Sequence, residues 1–594
     1  MPISLTSELP HSVSIQYPMN SKESEFIHKE IKRLLNKKVI QKSHHEIGEF
    51  ISPIFLRPKS DGGFRMILNL KRLNVVAEYH KFKMESISSI LCMIRPNYFM
   101  AKLDIKDAYY SIAIRESDQK LLKFSFCDTL YKFLVLPNGY TEGPRKFTKA
   151  LKPPLSTLRK QGIPIAGYID DLFTIAKISI QCSNNIEKTV KLFDSLGFII
   201  HPEKSTFVPS QTLEYLGFMI DSVSMTVSLT NDKKLSIINF CNQILANSKI
   251  SIRTLAKLLG KFSSSFIGVP LGKLHYRKLD AQKTVALRCN KGNFDKFTNL
   301  TEGSISEINW WKINLPFSKA PIQRKNPSYT IRTDASGTGW GAVEGNSSTG
   351  GKFSLKEQNH HINTLELLAG YFGLTSLCSN LSYTHILLEM DNTSAVAAVN
   401  KMGSSRSQDM DEVVHKIWEW AISKHIWITT THIPGILNTE ADKESRLSET
   451  RTEWMLNKKD FNYVKEKLGF EPTIDLFATR INTQLEKFVS YRPDPNAFAI
   501  NAFTLDWGNL DFYAFPPFSC IASCLQKIHH DKASGVMIVP DWPNQPWYCQ
   551  FDEMTINKLT LIPRKNLLTL PSATTLHPLH QHLQLKAAYL SGEQ

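Results

Sequence analysis

Residues 167–177 read GYIDDLFTIAK and place two adjacent aspartates, Asp170 and Asp171, between two short apolar runs. The flanking runs are rich in β-branched and aromatic residues, which predicts two strands joined by a tight turn. Neighbouring carboxylates repel each other, and apolar surroundings increase the repulsion because they desolvate both charges. Two explanations are open from this stretch alone: a hairpin tip exposed to water, or a hairpin that holds a cation.

A third carboxylate favours the cation. The segment LDIKDAYYSI at 103–112 places Asp104 at the end of an apolar run. One aspartate at a strand end and two in a hairpin can converge on two divalent cations, which together support an in-line phosphoryl transfer. Mg²⁺ prefers such oxygen ligands. In the same segment, Asp107 fits a helix start or a local polar contact better than a metal ligand, and Tyr110 fits the core.

These two segments belong to an ordered series of motifs. The others are RPKSDGGFRMILNLKRLN at 57–74, LPNGYTEGPRKFTK at 136–149, LGFIIHPEKS at 196–205 and LEYLGFMI at 213–220. In order and spacing, the series over residues 45–230 resembles that of reverse transcriptases. The resemblance implies a right-hand polymerase domain with fingers, palm and thumb.

The resemblance also implies roles for individual residues. Asp104, Asp170 and Asp171 would be the catalytic carboxylates and the ligands of two Mg²⁺ or Mn²⁺ ions. The residues implied for binding the incoming dNTP are Lys59 and Arg65 at the triphosphate, Tyr109 under the sugar, Asn138 and Gly139 at the template–nucleotide pair, and Lys204 at the departing pyrophosphate.

The segment around Asn138 departs from the pattern of the family. Related enzymes usually carry Gln or Phe at that position, and Tyr140 and the pair Glu142–Gly143 are also atypical. Two hypotheses therefore stand: an active polymerase, or a decayed or domesticated copy that binds nucleic acid without catalysis.

A second acidic set lies between residues 329 and 445. Its segments are YTIRTDASGTGWGAV, HHINTLELLAG, HILLEMDNTSAVAAV and HIPGILNTEADKESR. We expect Asp334 and Asp391 at strand ends, Glu366 on a helix with the apolar stripe Leu365, Leu368 and Ala369, and Asp442 at the start of a last helix, four residues after Asn438. Four carboxylates on separate elements suggest a second two-metal site, with water as the nucleophile.

This region resembles the ribonuclease H domain that is attached to reverse transcriptases of retroelements. The resemblance implies that Asp334, Glu366, Asp391 and Asp442 are catalytic metal ligands and that the RNA strand of an RNA–DNA hybrid is cut. His432 fits a structural role better than a catalytic one, and His360 and His361 fit surface or packing positions.

The net charge of +16 is concentrated in one part of the chain. Residues 231–325 carry 17 Lys and Arg against 5 Asp and Glu, a net +12. A concentrated basic surface is typical of proteins that bind nucleic acid. The candidates for phosphate contacts are Lys257, Lys261, Lys273, Arg277 and Lys278, while Leu258 and Leu259 are predicted core residues.

The last segment, from about 451, contains TIDLFATRIN, LDFYAFPPFSCI and GVMIVPDWPNQPWY. It resembles adenine-N6 methyltransferases, but Phe515 occupies the position where those enzymes carry the Asn or Asp that contacts the amine. No convincing Gly-rich loop for S-adenosylmethionine is present, so we expect an inert remnant or a structural module. Cys520, Cys524, His529 and His530 have poor spacing for zinc.

The nine scattered cysteines indicate a reduced, intracellular protein, in the cytoplasm, the nucleus or both. The N-terminus lacks the pattern of a secretory signal, and no apolar stretch is long enough to span a membrane. The expected fold class is multidomain α+β and α/β. The expected order is a leader (1–25), fingers and palm (26–235), thumb and connection (236–327, with a linker at 317–328), ribonuclease H-like domain (328–450) and methyltransferase-like remnant (451–594).

The order of these domains resembles DIRS-type retrotransposons, with gypsy-like elements as the alternative. The resemblance implies one segment of an element polyprotein. The implied partners are an RNA template, a DNA primer and template, the RNA–DNA hybrid and dNTPs, with other element-encoded proteins possible and no membrane.

Overall fold

The computed structural model describes residues 1–9, 17–58, 63–247, 249–404, 407–447 and 454–593. They form two compact units. The first comprises Met1–Ala246, Ser264–Pro270 and Trp311–Arg324, and the second comprises Asn247–Ser263, Leu271–Trp310 and Lys325–Gln594. Both units mix helices with sheets, as expected from the sequence.

The α-helices of the described residues are α1 Ser21–Asn36, α2 Lys71–Val76, α3 Ile87–Leu91, α4 Gly143–Lys160, α5 Ser179–Ser195, α6 Asn231–Leu245, α7 Ile252–Ser263, α8 Arg277–Cys289, α9 Glu302–Asn314, α10 Leu355–Gln358, α11 Ile362–Leu377, α12 Thr393–Asn400, α13 Gln408–Ser423, α14 Thr439–Arg446, α15 Lys458–Leu468, α16 Ile521–Asp531 and α17 Tyr548–Glu553. Within these ranges, no helix is both long enough and apolar enough to cross a bilayer.

The strands are β1 Ile40–Ser43, β2 Ile54–Pro58, β3 Phe64–Leu68, β4 Phe99–Asp104, β5 Lys123–Phe126, β6 Thr129–Phe133, β7 Ile165–Tyr168, β8 Asp171–Ala176, β9 Thr212–Tyr215, β10 Phe218–Asp221, β11 Thr226–Leu229, β12 Lys249–Ser251, β13 Phe297–Asn299, β14 Ala320–Pro321, β15 Tyr329–Ala335, β16 Gly339–Glu344, β17 Ser347–Lys352, β18 His385–Met390, β19 Trp427–His432, β20 Met455–Leu456, β21 Ile474–Asp475, β22 Lys487–Ser490, β23 Ala499–Ile500, β24 Phe512–Ala514, β25 Ser534–Pro540, β26 Thr555–Leu561, β27 Leu568–Thr569 and β28 Leu585–Ser591.

The centre of the first unit is an antiparallel sheet in the order β4-β8-β7. After its first residue, every residue of β8 is buried. Helices α4 and α5 cover the sheet, and their apolar side chains, among them Phe147, Leu155 and Phe193, complete a common core with it. The first group of carboxylates lies at one end of this buried sheet.

Two segments of the first unit differ from the sequence-based expectation. The N-terminal segment is not loose where it is described: Ile3 is buried and its amide donates to the Asp118 carboxylate at 2.9 Å. The predicted linker at 317–328 contains β14, which pairs with β11. In both cases the backbone donors and acceptors bond to other chain segments, which the local composition could not reveal.

The second unit contains a mixed five-stranded sheet in the order β17-β16-β15-β18-β19, in which β18 and β19 run parallel to β15. Helix α11 lies against β15 and β16. The sequence predicted burial of a single apolar stripe on α11. The buried surface is wider, because most residues of the helix from Thr364 to Ser376 are buried, including Glu366. A helix with apolar residues on all sides is typical of a buried core element.

Residues 454–593, which we call the tail, form a second sheet in this unit. Its order is β23-β22-β21-β24-β25-β28-β26, with the first five strands parallel and β28 antiparallel to both neighbours. Apolar clusters cover both faces of the sheet, one with α16 and the other with α15. This is the α/β tail that the sequence predicted.

All nine cysteines are free thiols. Cys524 is buried and Cys520 is half-buried, whereas His529 and His530 lie at the end of α16. Among the described residues, these four side chains are not grouped as metal ligands.

Candidate active sites

The first group of carboxylates forms where β4 ends and the β7–β8 hairpin turns. Antiparallel pairing sets Asp104 opposite Asp171. Asp170 lies in the two-residue turn between β7 and β8, and its carbonyl accepts the amide of Ile105 at 2.8 Å. The structure thus brings the three predicted aspartates to one end of the sheet. Ile169, the other turn residue, has φ +53°, a strained value for a β-branched residue.

Burial and mutual repulsion disfavour the ionised forms of this group. Burial, followed by the charges of Asp170 and Asp104, raises the pKa of Asp171 to about 6. Burial also raises the pKa of Asp170. Carboxylates in such surroundings favour a bound cation, because its charge offsets both costs. The all-oxygen donor set fits Mg²⁺ or Mn²⁺.

A cavity of about 540 Å³ opens beside the aspartates. Its lining includes Asp104 and Asp170 together with four of the predicted nucleotide-binding residues, namely Arg65, Tyr109, Asn138 and Lys204. Tyr109 packs edge-on against Phe147 at 5.6 Å, and burial raises its pKa to about 12, so that it is a neutral phenol at physiological pH. The whole lining holds four cationic side chains and four carboxylates: Arg33, Arg65, Lys106 and Lys204 with Glu30, Asp104, Asp107 and Asp170. Such a mixture suits a phosphorylated ligand with divalent cations.

One described nucleotide-binding candidate, Gly139, is not part of this cavity. Gly139 lines a separate cavity of about 580 Å³ and has φ +99°, a backbone conformation that favours glycine. Its carbonyl accepts the side-chain amide of Asn74 at 2.8 Å. Lys59 lies outside the described residues.

The atypical segment after Gly139 has internal partners. Tyr140 is buried, and Glu142, 3% exposed, accepts the His80 amide at 2.9 Å and pairs with Arg145. These residues therefore form a local structural network beside α4. Asp107 likewise makes the expected local contact, an ion pair with Lys37 at 2.7 Å.

The second group of carboxylates lies at one edge of the five-stranded sheet. Register pairs Thr333 with Met390, so that the next residues, Asp334 and Asp391, follow side by side. Helix α11 adds Glu366. One oxygen from each of the three carboxylates lies within 4.8 Å of the others, the one such group of metal-ligand type among the described ranges.

The electrostatics of this group also fit a divalent cation. Burial, followed by the charges of Asp391 and Asp334, raises the pKa of Glu366 to about 9. Oxygen Oε2 of Glu366 is buried without a hydrogen-bond partner. A buried carboxylate oxygen without a donor is costly unless a cation or a proton satisfies it. The donor set of three carboxylates therefore fits Mg²⁺ or Mn²⁺.

Asp442, the fourth predicted ligand, is not part of this group of three. It lies on α14, where its carboxylate pairs with Arg446 at 2.7 Å. Its neighbour Ser445, which the sequence analysis missed, is fully buried and donates to the Asp334 carboxylate at 2.7 Å. Asn438, before α14, donates to the carbonyl of Thr333 at 3.0 Å. The motif N-x-x-A-D thus joins α14 to β15.

The glycines of the DASGTGWGA segment explain how α14 approaches the sheet. A Cβ atom on Gly341 would lie 2.3 Å from the Ala441 carbonyl oxygen and 2.6 Å from the Ser445 amide nitrogen. A Cβ atom on Gly339 would lie 2.5 Å from the Ser445 carbonyl oxygen. Only glycine permits this packing, and the glycine spacing in the sequence was the available signal for it.

The histidines have mainly local roles. His360 pairs with Asp409 at 3.1 Å, and the ring of His361 accepts the Asn363 amide at the start of α11. His432 ends β19 in register with Met390 and is exposed.

The basic candidates lie on α7, at the start of α8 and, for Lys273, in the segment between these helices. Lys257 and Lys278 are exposed, while Lys261 and Lys273 are half-buried. Leu258 and Leu259 are buried, as predicted. The Arg277 guanidinium donates to the Lys401 carbonyl at 2.9 Å, and its contact with phosphate stays a prediction.

Comparison with known proteins identifies the first unit. Residues 57–220 match the family model described as "Reverse transcriptase (RNA-dependent DNA polymerase)". The enzymatic polyprotein of Figwort mosaic virus is 24% identical over 436 residues, which cover 70% of this chain and 60% of the relative. The putative enzymatic polyprotein of Cassava vein mosaic virus is 23% identical over 431 residues, covering 70% and 63%. The chain thus matches less than two thirds of each viral relative's length.

Transposon and retroviral proteins are also similar. The transposon Tf2-3 polyprotein of Schizosaccharomyces pombe is 24% identical over 232 residues, covering 39% of this chain and 17% of the relative. A foamy viral protease–reverse transcriptase solved with an RNA/DNA hybrid superposes with a TM-score of 0.48 at 17% identity, covering 75% of this chain and 57% of that one. From the family match, the chain carries a reverse transcriptase domain at residues 57–220.

Proposed function

We propose that this chain is an RNA-directed DNA polymerase that also degrades the RNA of RNA–DNA hybrids, and that it belongs to a retrotransposon polyprotein. The observation that carries the proposal is the group formed by Asp104, Asp170 and Asp171 at one end of the sheet, two of which, Asp104 and Asp170, line a cavity within the reverse transcriptase domain. Its substrates would be dNTPs, an RNA or DNA template and a DNA primer.

In this mechanism, Asp104, Asp170 and Asp171 would hold two Mg²⁺ or Mn²⁺ ions. When bound, these ions supply activation of the primer 3′-hydroxyl and neutralise the charge that develops on the transferred phosphate. Arg65 and Lys204 would bind and orient the triphosphate from the cavity wall. Tyr109 would lie under the sugar and exclude a 2′-hydroxyl, with Asn138 beside the base pair.

Primer extension on poly(rA)·oligo(dT) with Mg²⁺ or Mn²⁺ tests the polymerase. The wild type should extend the primer, and the double variant Asp170→Asn with Asp171→Asn should lose extension because its site no longer holds the cations. Asp194→Asn, which changes an exposed aspartate on α5 that does not line the cavity, is the matched control and should retain activity. Equal extension by the wild type and the double variant would refute the polymerase.

For the nuclease, Asp334, Glu366 and Asp391 would hold the cations and Asp442 would contribute from α14. When bound, the cations would supply an activated water for attack on the scissile phosphate of the RNA strand. The carboxylates would hold the cations in place. The support is the group of three carboxylates with its unpartnered Glu366 oxygen. Lys257, Lys261, Lys273 and Lys278 would add contacts to the phosphates of the duplex.

Cleavage of a labelled RNA–DNA hybrid tests this site. Asp391→Asn should abolish cleavage and leave primer extension intact, whereas Asp170→Asn with Asp171→Asn should do the reverse. Loss of both activities in either variant would contradict two separable sites.

We also propose the finer identity of the element. The predicted domain boundaries, with a tail that has its own α/β sheet after the nuclease-like sheet, support a DIRS-type element over a gypsy-like one. The protein would act in the cytoplasm or nucleus with other element-encoded proteins. The flanking genomic sequence tests this: a downstream tyrosine recombinase supports DIRS, and an integrase refutes it.

A decayed copy that binds nucleic acid without catalysis is the second candidate, and the departures from Asn138 to Lys146 favour it. It predicts duplex binding with neither extension nor cleavage. For the tail we propose a structural module, since Phe515 replaces a hydrogen-bonding residue. Calorimetric titration with S-adenosylmethionine should show no binding, and binding would instead favour a methyltransferase.

A further inference from the structure

One edge of the tail sheet has the topology at which α/β sheets commonly bind ligands, but arginines from this edge contact another part of the same chain. Its strand order reverses between β21 and β24, and open α/β sheets bind ligands at the carboxyl ends of the strands beside such a reversal. The loops that leave β21 and β22 at this edge carry Arg480 and Arg492. Both guanidinium groups are paired with carboxylates of the nuclease-like part of the same unit.

Arg480 contacts the region around α10 and α11. It makes two parallel hydrogen bonds to the Glu357 carboxylate, each 2.9 Å, and a third to the Lys352 carbonyl at 2.9 Å. The guanidinium carbon lies 3.9 Å from the ring centre of Phe372. Phe372 belongs to α11, the helix that carries Glu366. A bidentate, stacked arginine fixes orientation as well as distance.

Arg492 contacts α14. Its guanidinium donates to the Glu444 carboxylate at 2.8 Å and to the Ser348 carbonyl at 3.2 Å. The next residue, Pro493, accepts a hydrogen bond from the Thr349 hydroxyl through its carbonyl. The Ser348 hydroxyl also donates to Glu444 at 2.8 Å. The tail therefore contacts both β17 and, through Glu444, α14.

A short series of contacts connects the Arg492–Glu444 ion pair to the carboxylates of the nuclease-like site. Glu444 directly precedes Ser445, whose hydroxyl donates to the Asp334 carboxylate at 2.7 Å. Asp442 lies on the same short helix. Any shift of α14 would therefore move Asp442 and the donor to Asp334 together, while Gly341 leaves no space for α14 to move toward the sheet.

We propose that the tail is a positioning module for the nuclease-like site, with Arg492 holding α14 and Arg480 holding α11. The inference rests on the proposed nuclease function for its catalytic consequence. The edge of the tail sheet at which a ligand would be expected binds the nuclease-like part of the same chain instead. Arg492 is then a positioning residue that touches no substrate.

The test compares Arg492→Ala in the full chain with the wild type by two measurements. Hydrogen–deuterium exchange at the amides of α14 should become about tenfold faster, because the helix loses its outer support. The Mg²⁺ concentration for half-maximal cleavage of an RNA–DNA hybrid should rise about tenfold, as for other residues that orient metal ligands. Exchanging the charges, Arg492→Glu with Glu444→Arg, should restore both values at least in part.

Lys558→Ala is the matched control, since it breaks a 2.7 Å ion pair with Asp552 on the tail away from α14. It should change neither measurement, and primer extension should be unchanged in all variants. Unchanged exchange at α14 in Arg492→Ala would overturn the inference. If the wild type cuts no hybrid, the nuclease proposal fails, and the exchange of α14 alone decides whether the tail positions the helix.

Discussion

In the absence of a cation, the ionised form of Glu366 is strongly disfavoured in the folded nuclease-like site. Its pKa in the folded chain is about 9, against an ordinary value of 4.5. As pH rises between these values, the unfolded chain releases the proton first, so that the metal-free protein loses stability. Glu366→Gln should remove this loss. In EDTA, we expect the variant to unfold at a higher temperature than the wild type. The difference in the free energy of unfolding should grow from pH 5 to pH 9, with an upper bound of roughly 6 kcal/mol.

Thermal unfolding at several pH values, with EDTA and with Mg²⁺, measures the effect. Added Mg²⁺ should stabilise the wild type more than Glu366→Gln, because the cation binds the carboxylate that the variant lacks. Glu412→Gln, which changes an exposed glutamate on α13, serves as the control and should show no growing difference. If the difference in unfolding temperature between Glu366→Gln and the wild type did not change with pH, the raised pKa of the Glu366 carboxyl group would be contradicted.

At the scale of elements, α14 lies on a surface of glycines, and Gly341 is the tightest point. A Cβ atom there would meet backbone atoms of Ala441 and Ser445, which cannot rotate away. Gly341→Ala should therefore lift α14, destabilise the second unit by about 1–3 kcal/mol and reduce hybrid cleavage about 100-fold through displacement of Asp442 and Ser445.

Gly337→Ala is the matched change in the same segment, because a Cβ atom there meets no atom within 4 Å. Cleavage assays and thermal unfolding of the two variants give the comparison. Equal behaviour of the two variants would show that the close approach of α14 is not needed for cleavage or stability.

At the scale of the whole molecule, the sequence predicted those features that depend on local pattern. Strands that end at or within one residue of Asp104, Asp334 and Asp391 follow from apolar runs that stop at an acidic residue, and the hairpin at Asp170 follows from two β-rich runs. The sequence could not show that Asp442 pairs with Arg446, or that Arg277 bonds to a carbonyl 124 residues away. Such contacts depend on tertiary packing, which single-sequence patterns do not encode.

The basic segment allows a prediction about binding of the duplex that does not depend on catalysis. Lys257 and Lys278 are exposed, so each can neutralise one phosphate and release one counterion.

In fluorescence-anisotropy titrations of a labelled hybrid from roughly 50 to 200 mM salt, the plot of log affinity against log salt should lose about 1 unit of slope per lysine replaced by alanine. Lys191→Ala, which changes an exposed lysine of α5 that is paired with Glu187, should keep the slope of the wild type. An equal slope in Lys257→Ala, Lys278→Ala and Lys191→Ala would exclude phosphate contacts by the two basic-segment lysines, and the excess charge of residues 231–325 would then act only through the general field of the protein.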